Sequence, residues 1–218
     1  MWGRAAICVA AVATAALIWY LFFWRYNRRQ GEQVVAWIQS ALAGMGEVVA
    51  VRWLGPAIFQ VTARVDTTRF RQPALLVHLV PRQMPLRWLR QWWRREPATL
   101  TWHADLDVPP AFNLQVAQHR WSGRSRRRLA PERPGWTFQP VTPLILISRR
   151  SWPREVPAMM NALLSCRKRE VLSLSFRPTS PHFSATIPLD CISPQRCGEA
   201  NIFDTLRELA GGASASRL

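Results

Sequence analysis

The feature that most restricts this chain is an uncharged run near its amino terminus, AAICVAAVATAALIWYLFFW, from Ala5 to Trp24. Twenty helical residues rise roughly 30 Å, the thickness of a hydrocarbon core. Trp2 stands at one end, and Trp19, Tyr20, Trp24 and Tyr26 stand at the other, which is the aromatic distribution of two membrane interfaces. A cleaved signal peptide needs a shorter apolar region ending in small residues. This run ends in IWYLFFW and passes into RYNRR. The expectation is therefore an uncleaved anchor with a basic flank over 1–30, in a bacterial-type single-pass protein of the cell membrane. Arg25, Arg28 and Arg29 follow the run and Arg4 precedes it. The positive-inside rule leans weakly to a cytoplasmic carboxy-terminal domain, with export of that domain as the alternative.

Beyond the anchor, 31–210 has the length and apolar content of one α+β domain, and 211–218, GGASASRL, reads as a flexible tail. The anchor helix continues through EQVVAWIQSALAG, where Val34, Trp37, Ile38, Ala41 and Leu42 share a face, and Gly44 and Gly46 stop it. EVVAVRWL and AIFQVTARV flank Gly55-Pro56 as a hairpin, and ALLVHLV is a third, more apolar strand. ATLTWHADLDV alternates strictly, with Leu100, Trp102, Ala104 and Leu106 on the inner face. AFNLQVAQH, WTF and PLILI follow as strands. PREVPAMMNALLSC reads as a helix, EVLSLSF and HFSATIPL as a second hairpin, and NIFDTLRELA as a short final helix.

The two hairpins echo each other. Glu47–Trp53 aligns with Glu170–Phe176 and Phe59–Ala63 with Phe183–Ile187, with one extra residue in the second turn. The fold class expected is a mainly antiparallel sheet with several packed helices. It is built either from two αββ-type units, as halves 31–119 and 136–210 joined by the basic loop 120–135, or from two separate solutions to one packing problem.

The formal net charge is +16, and Lys168 is the only lysine. A GC-rich genome accounts for the missing lysines better than for the shortage of acids, and the excess favours polyanionic partners. Two stretches concentrate it. In PLRWLRQWWRREP, residues 85–97, Leu86, Trp88, Leu89, Trp92 and Trp93 occupy one side of a helical wheel, between about 200° and 360°. Arg87, Arg90, Gln91, Arg94 and Arg95 fall between about 40° and 180°. Three readings follow for this helix. Its Trp/Leu face covers the sheet; or Trp88, Trp92 and Trp93 are interfacial aromatics with the arginines on anionic headgroups; or the arginines bind nucleic-acid phosphate. Base stacking wants aromatics and cations on one face, which this wheel does not provide. The loop RWSGRSRRRLAPERPG adds Arg124, Arg126, Arg127 and Arg128 as candidate anionic-surface residues.

Chemistry-bearing motifs are sparse. His103 and Asp105 share a strand face about 7 Å apart by strand geometry, without a nucleophile in a reactive context, and read as a solvated face. No glycine spacing cradles a phosphate, and no metal site or cofactor is expected. Cys191 and Cys197 bracket CISPQRC and would form a disulfide if the domain is exported. The reading is a membrane-anchored binding or scaffold module, held against anionic lipid headgroups or an acidic protein. A membrane-tethered nucleic-acid-binding protein is the alternative, and an enzyme with an unrecognised site the second alternative.

Overall fold

The structure is a computed structural model that describes residues 2–43, 46–65, 70–110, 113–118, 136–141, 144–149 and 172–192. Helix α1, Trp2–Leu42, is a single 41-residue rod. Its first part carries the apolar run and is long and apolar enough to cross a membrane, with none of that window buried in the protein. Its last turns bury the stripe anticipated from the sequence: Ile38 and Leu42 are fully covered, with Val34, Trp37 and Ala41 packed beside them. Each fully buried aliphatic side chain there contributes about 1.5–3 kcal/mol.

Among the described residues there are nine strands: β1 (Gly46–Gly55), β2 (Ile58–Val65), β3 (Phe70–His78), β4 (Thr99–Leu106), β5 (Leu114–Gln118), β6 (Trp136–Val141), β7 (Leu144–Arg149), β8 (Ser173–Phe176) and β9 (Phe183–Pro188). All neighbours are antiparallel, in the order β1-β2-β3-β4-β9-β8-β5-β7-β6. The first four form a meander. The last hairpin in sequence, β8–β9, lies between β4 and β5, so both echoing hairpins belong to one sheet.

Strict alternation makes one face of that sheet apolar. Val61, Leu75, Trp102, Ala185, Leu174 and Val116 follow one another across six strands in register, and all are buried. The opposite face carries Gln60, Leu76, Thr101, Thr186 and Ser173 in one cross-strand row and Ala74, His103, Ser184, Ser175 and Gln115 in the next, all half-buried. Pro73, a poor residue for a central strand, sits where the β3–β4 register shifts between Arg71 and Ala74, so no regular ladder bond is asked of it.

The echo is reproduced in the ladder. Ala50↔Thr62, Val51↔Val61, Arg52↔Gln60 and Trp53↔Phe59 correspond to Ser173↔Thr186, Leu174↔Ala185, Ser175↔Ser184 and Phe176↔Phe183. Each hairpin ends in a tilted aromatic pair, with ring centroids 4.8 Å apart for Trp53–Phe59 and 5.2 Å for Phe176–Phe183. Gly31 brings α1 onto the first pair. A Cβ there would lie 2.5 Å from the Trp53 indole and 3.3 Å from Phe59. The Arg28 guanidinium lies over the same indole at 4.5 Å.

The expectation of several packed helices is not supported by the described residues. Among the described residues there are two α-helices, α1 and α2 (Pro85–Trp93), and one 3₁₀ turn, η1 (Leu189–Ile192). α2 is not packed on the sheet, for none of its residues is buried. The helices expected over 153–166 and 201–210 lie outside the described residues.

Candidate functional site

Helix α2 and its seat on α1 form the candidate site. Pro85 starts the helix, where its missing N–H costs nothing, behind Met84 in extended conformation with no side-chain cap. At the other end the chain closes a Schellman motif. The N–H of Glu96 donates to the carbonyl of Gln91 at 3.1 Å, and that of Arg95 to the carbonyl of Trp92 at 2.9 Å. That closure requires a left-handed residue, normally glycine, and Arg95 supplies it with φ of 50°. Gln91 fastens the turn further, its amide donating to the carbonyl of Glu96 at 3.1 Å.

Polar groups tie the segment before α2 to α1. Asn27 is 2% exposed and Gln83 is 3% exposed. The Asn27 amide donates to Gln83 Oε1 at 2.6 Å and to the Val80 carbonyl at 3.2 Å. One helical region lower, the Trp19 indole N–H donates to the Arg82 carbonyl at 3.2 Å, and the Trp19 and Trp88 rings lie 6.5 Å apart. The Arg82 guanidinium stacks over Tyr26 at 4.7 Å. Three residues of α1, Trp19, Tyr26 and Asn27, therefore hold one short loop and one side chain of α2.

The rest of the α2 apolar side is open. Leu86 is 82% exposed, Trp92 67% and Trp93 83%, and Leu89 is exposed as well; Trp88 alone of the five is partly covered. The sheet does not cover this face. Arg87, Arg90, Arg94 and Arg95 are exposed, with Arg94 3.8 Å from Glu96. The structure thus brings together Arg87, Arg90, Arg94, Arg95, Trp88, Trp92 and Trp93. Arg124, Arg126, Arg127 and Arg128 lie outside the described residues, as does Cys197 and the side chain of Cys191, and with them the disulfide expected between the pair.

A groove of about 1300 Å³ runs between α2, α1 and η1. Gln30 and Trp37 of α1, Trp88 and Arg95 of the α2 segment, Arg82 of the loop and Asp190 of η1 are among its lining residues. A smaller pocket of about 500 Å³ lies on the other side of α2 against the polar sheet face, lined by His78, Thr101 and Thr186.

Sequence reasoning found α2 and its two faces but missed the residues that seat it. Asn27 was concealed among arginines, although a small amide on an otherwise apolar or basic helix is a signal for a buried polar contact. The left-handed arginine carried no sequence signal, since RREP lacks the usual glycine.

Among the described residues, His78, His103 and His182 make no catalytic array. Asp105 accepts hydrogen bonds from the Ser180 hydroxyl at 3.0 Å and the His182 N–H at 3.2 Å. The Leu106 N–H donates to His182 Nδ1 at 3.2 Å, so that nitrogen is an acceptor and its 3.8 Å approach to Asp105 is no ion pair. Serine here bonds the carboxylate rather than the imidazole, which is the wrong order for activating a hydroxyl. Burial lowers the pKa of His103, helped by the charge of Arg177, and burial lowers that of His78. Among the described residues no group of three or more His, Cys, Asp or Glu is placed to hold a metal ion.

No protein-family model and no curated protein matches this chain.

Proposed function

We propose that this is a single-pass membrane-anchored binding or scaffold protein whose basic α+β domain is held against an anionic bilayer by a second, interfacial contact through α2. The carrying observation is that α2 leaves Trp92, Trp93 and Leu86 open while seated on α1 beside Trp19. A nine-residue helix with no buried residue is under-stabilised in water. Its indoles find a covering medium at the headgroup boundary, where aromatic rings partition.

Its height fits that medium. Trp19 is five residues before Trp24, the end of the apolar run, and so about 7 Å deeper along a helix perpendicular to the bilayer. The Arg82 carbonyl accepts from the Trp19 indole at that level, within the 5–10 Å to which interfacial helices sink, and the Trp88 ring lies 6.5 Å from that of Trp19. Arg87 and Arg90 fall on the other side of the helical wheel, and each exposed arginine near an anionic surface adds about 1 kcal/mol of attraction. Aromatics and cations stay on opposite faces, as an amphipathic helix in an interface requires. An acidic protein facing the same arginines is the competing partner, and nucleic acid the next.

Hydrogen exchange of the full chain in nanodiscs tests the reading. The amides of 85–95 are expected to exchange more slowly in discs containing phosphatidylglycerol than in neutral discs, with the difference shrinking as salt rises. Exchange at α2 that ignores lipid charge would contradict the anionic contact. Protection that appears only on adding an oligonucleotide, with a steep salt dependence, would favour the nucleic-acid alternative.

A further inference from the structure

The β1–β2 hairpin closes on an uncharged stretch, Trp53-Leu54-Gly55-Pro56-Ala57-Ile58, in a chain of net charge +16. Gly55 pairs with Ile58 across the turn. Leu54 is 53% exposed, and among the described residues a Cβ added at Gly55 would meet nothing within 4 Å. Two independent routes fix the height of this tip for α1 along the bilayer normal. In the first, β1 starts just after α1 ends and runs back along it, so that Trp53 reaches Gly31. The Arg28 guanidinium lies 4.5 Å from the Trp53 ring and 5.9 Å from that of Trp24. Arg28 is about 6 Å beyond Trp24, the end of the apolar run, and Leu54 is a further residue, about 3 Å, down the strand from Trp53. In the second, the Leu79 N–H donates to the Ala57 carbonyl at 2.8 Å, and the next carbonyl, that of Val80, accepts from Asn27. Asn27 is about 4–5 Å beyond Trp24. Both routes put the tip within about 5–8 Å of the hydrocarbon edge, the thickness of the headgroup layer. The far end of the same strands is polar: Asp66, Thr67, Thr68 and Arg69 join β2 to β3, and Arg71 pairs with Asp107 at 2.6 Å.

From these observations we propose that the β1–β2 tip is a bilayer contact in its own right, with the Leu54 side chain in the headgroup layer of the leaflet nearest the domain. The inference rests on the reading of α1 as a membrane anchor and does not require α2 to be interfacial. Lipid is the occupant because of the space left. A packed layer of protein needs about 10 Å, more than separates the tip from the hydrocarbon edge. An exposed leucine at this height also gains by leaving water, whereas the charged turn at the other end of β2 does not. With α1 and α2, the tip gives the domain a third point of contact. The strands then stand along the bilayer normal, and the end carrying Arg71 and Asp107 faces away from lipid, about 25 Å farther out.

The test is quenching of a small fluorophore attached at single cysteines in the full chain, with Cys8, Cys166, Cys191 and Cys197 replaced by serine, reconstituted in phospholipid vesicles. Leu54→Cys carries the probe at the tip. Val49→Cys carries it on the same strand at a position of matching exposure, 54% against 53%, so exposure alone cannot separate the two. Position 49 lies about 16 Å farther from the bilayer. Leu17→Cys, inside the apolar run, reports on the anchor. Lipids bearing a nitroxide on the headgroup are expected to quench the probe at 54 at least about twofold more than the probe at 49, and iodide in the water to quench it less. Nitroxides on the acyl chains should quench the probe at 17. The difference between 54 and 49 should persist in the Trp92→Gln/Trp93→Gln variant, which disables α2 but not α1. Equal headgroup quenching at 54 and 49, with the probe at 17 quenched from the acyl chains, would overturn the tip contact and leave the anchor standing. Shielding of 54 from iodide without headgroup quenching would put protein on the tip and overturn it as well. A probe at 17 that acyl-chain nitroxides do not reach would overturn the anchor, and the tip contact with it.

Discussion

Replacing Asn27 by leucine isolates the contact that sets the height of α2. The side chain is similar in size, and the position stays buried, but both amide donors vanish. The Val80 carbonyl keeps a partner, because the Arg82 N–H donates to it at 2.8 Å. Gln83 Oε1 loses the 2.6 Å bond at a site 3% exposed. An orphaned buried acceptor costs about 1–3 kcal/mol, and the net bond lost adds about 1 kcal/mol. The single variant is therefore expected to lose about 2–4 kcal/mol. For a chain of this size that lowers Tm by about 4–16 °C. Adding Gln83→Leu removes the orphan, and the double variant should recover about 1–2 kcal/mol relative to the sum of the two singles. Thermal unfolding of the full chain in micelles, followed by near-UV circular dichroism, reads both quantities. Strict additivity of the two substitutions would refute the buried amide pair as a coupled lock.

Other consequences are equally concrete. Arg95→Gly removes a left-handed penalty of about 1–2 kcal/mol and adds about 0.5–1 kcal/mol of unfolded-chain entropy, so Tm should rise by about 1–3 °C in the same assay. Gly31→Ala gains about 1 kcal/mol of helix propensity, yet its Cβ meets the Trp53 ring at 2.5 Å. Overpacking of about 1–3 kcal/mol should leave a net loss and a lower Tm, relieved when Trp53→Leu is added. His103 and His78 have folded pKa values below the ordinary 6.5, so the unfolded chain binds more protons near that pH. Their stability contribution is complete above about pH 6.5 and is lost as pH falls towards the folded values. Denaturant midpoints between pH 7 and 5 should fall less in the His78→Gln/His103→Gln double variant than in the parent.

Strands were legible because alternation is a local signal. The pattern of Leu100, Trp102, Ala104 and Leu106 reappears as buried residues, and the same alternation of apolar and polar residues marks β8 and β9. The stripe through Ile38 and Leu42 was legible for the same reason, at helical period. Strand order was not, since placing β8–β9 between β4 and β5 depends on pairings more than 80 residues apart, such as Trp102↔Ala185. The wheel of 85–97 gave two faces but not what covers them. That depends on where Asn27 and Trp19 hold the preceding loop, and a contact over 50 residues in sequence leaves no periodicity to read. Arg95 is the plainest case: its left-handed backbone is imposed by closing hydrogen bonds to Gln91 and Trp92, against the preference of its own side chain.

Depth of α2 in the bilayer tests the central claim most directly. A nitroxide placed on a cysteine at position 93, in a chain with Cys8, Cys166, Cys191 and Cys197 replaced by serine, can be read by power-saturation electron paramagnetic resonance in anionic vesicles. Oxygen accessibility exceeding that of a water-soluble nickel chelate, at a depth of about 5–10 Å below the phosphates, is the expected result. A label at position 93 as accessible to the chelate as one at the exposed Arg64 would contradict the interfacial placement of α2.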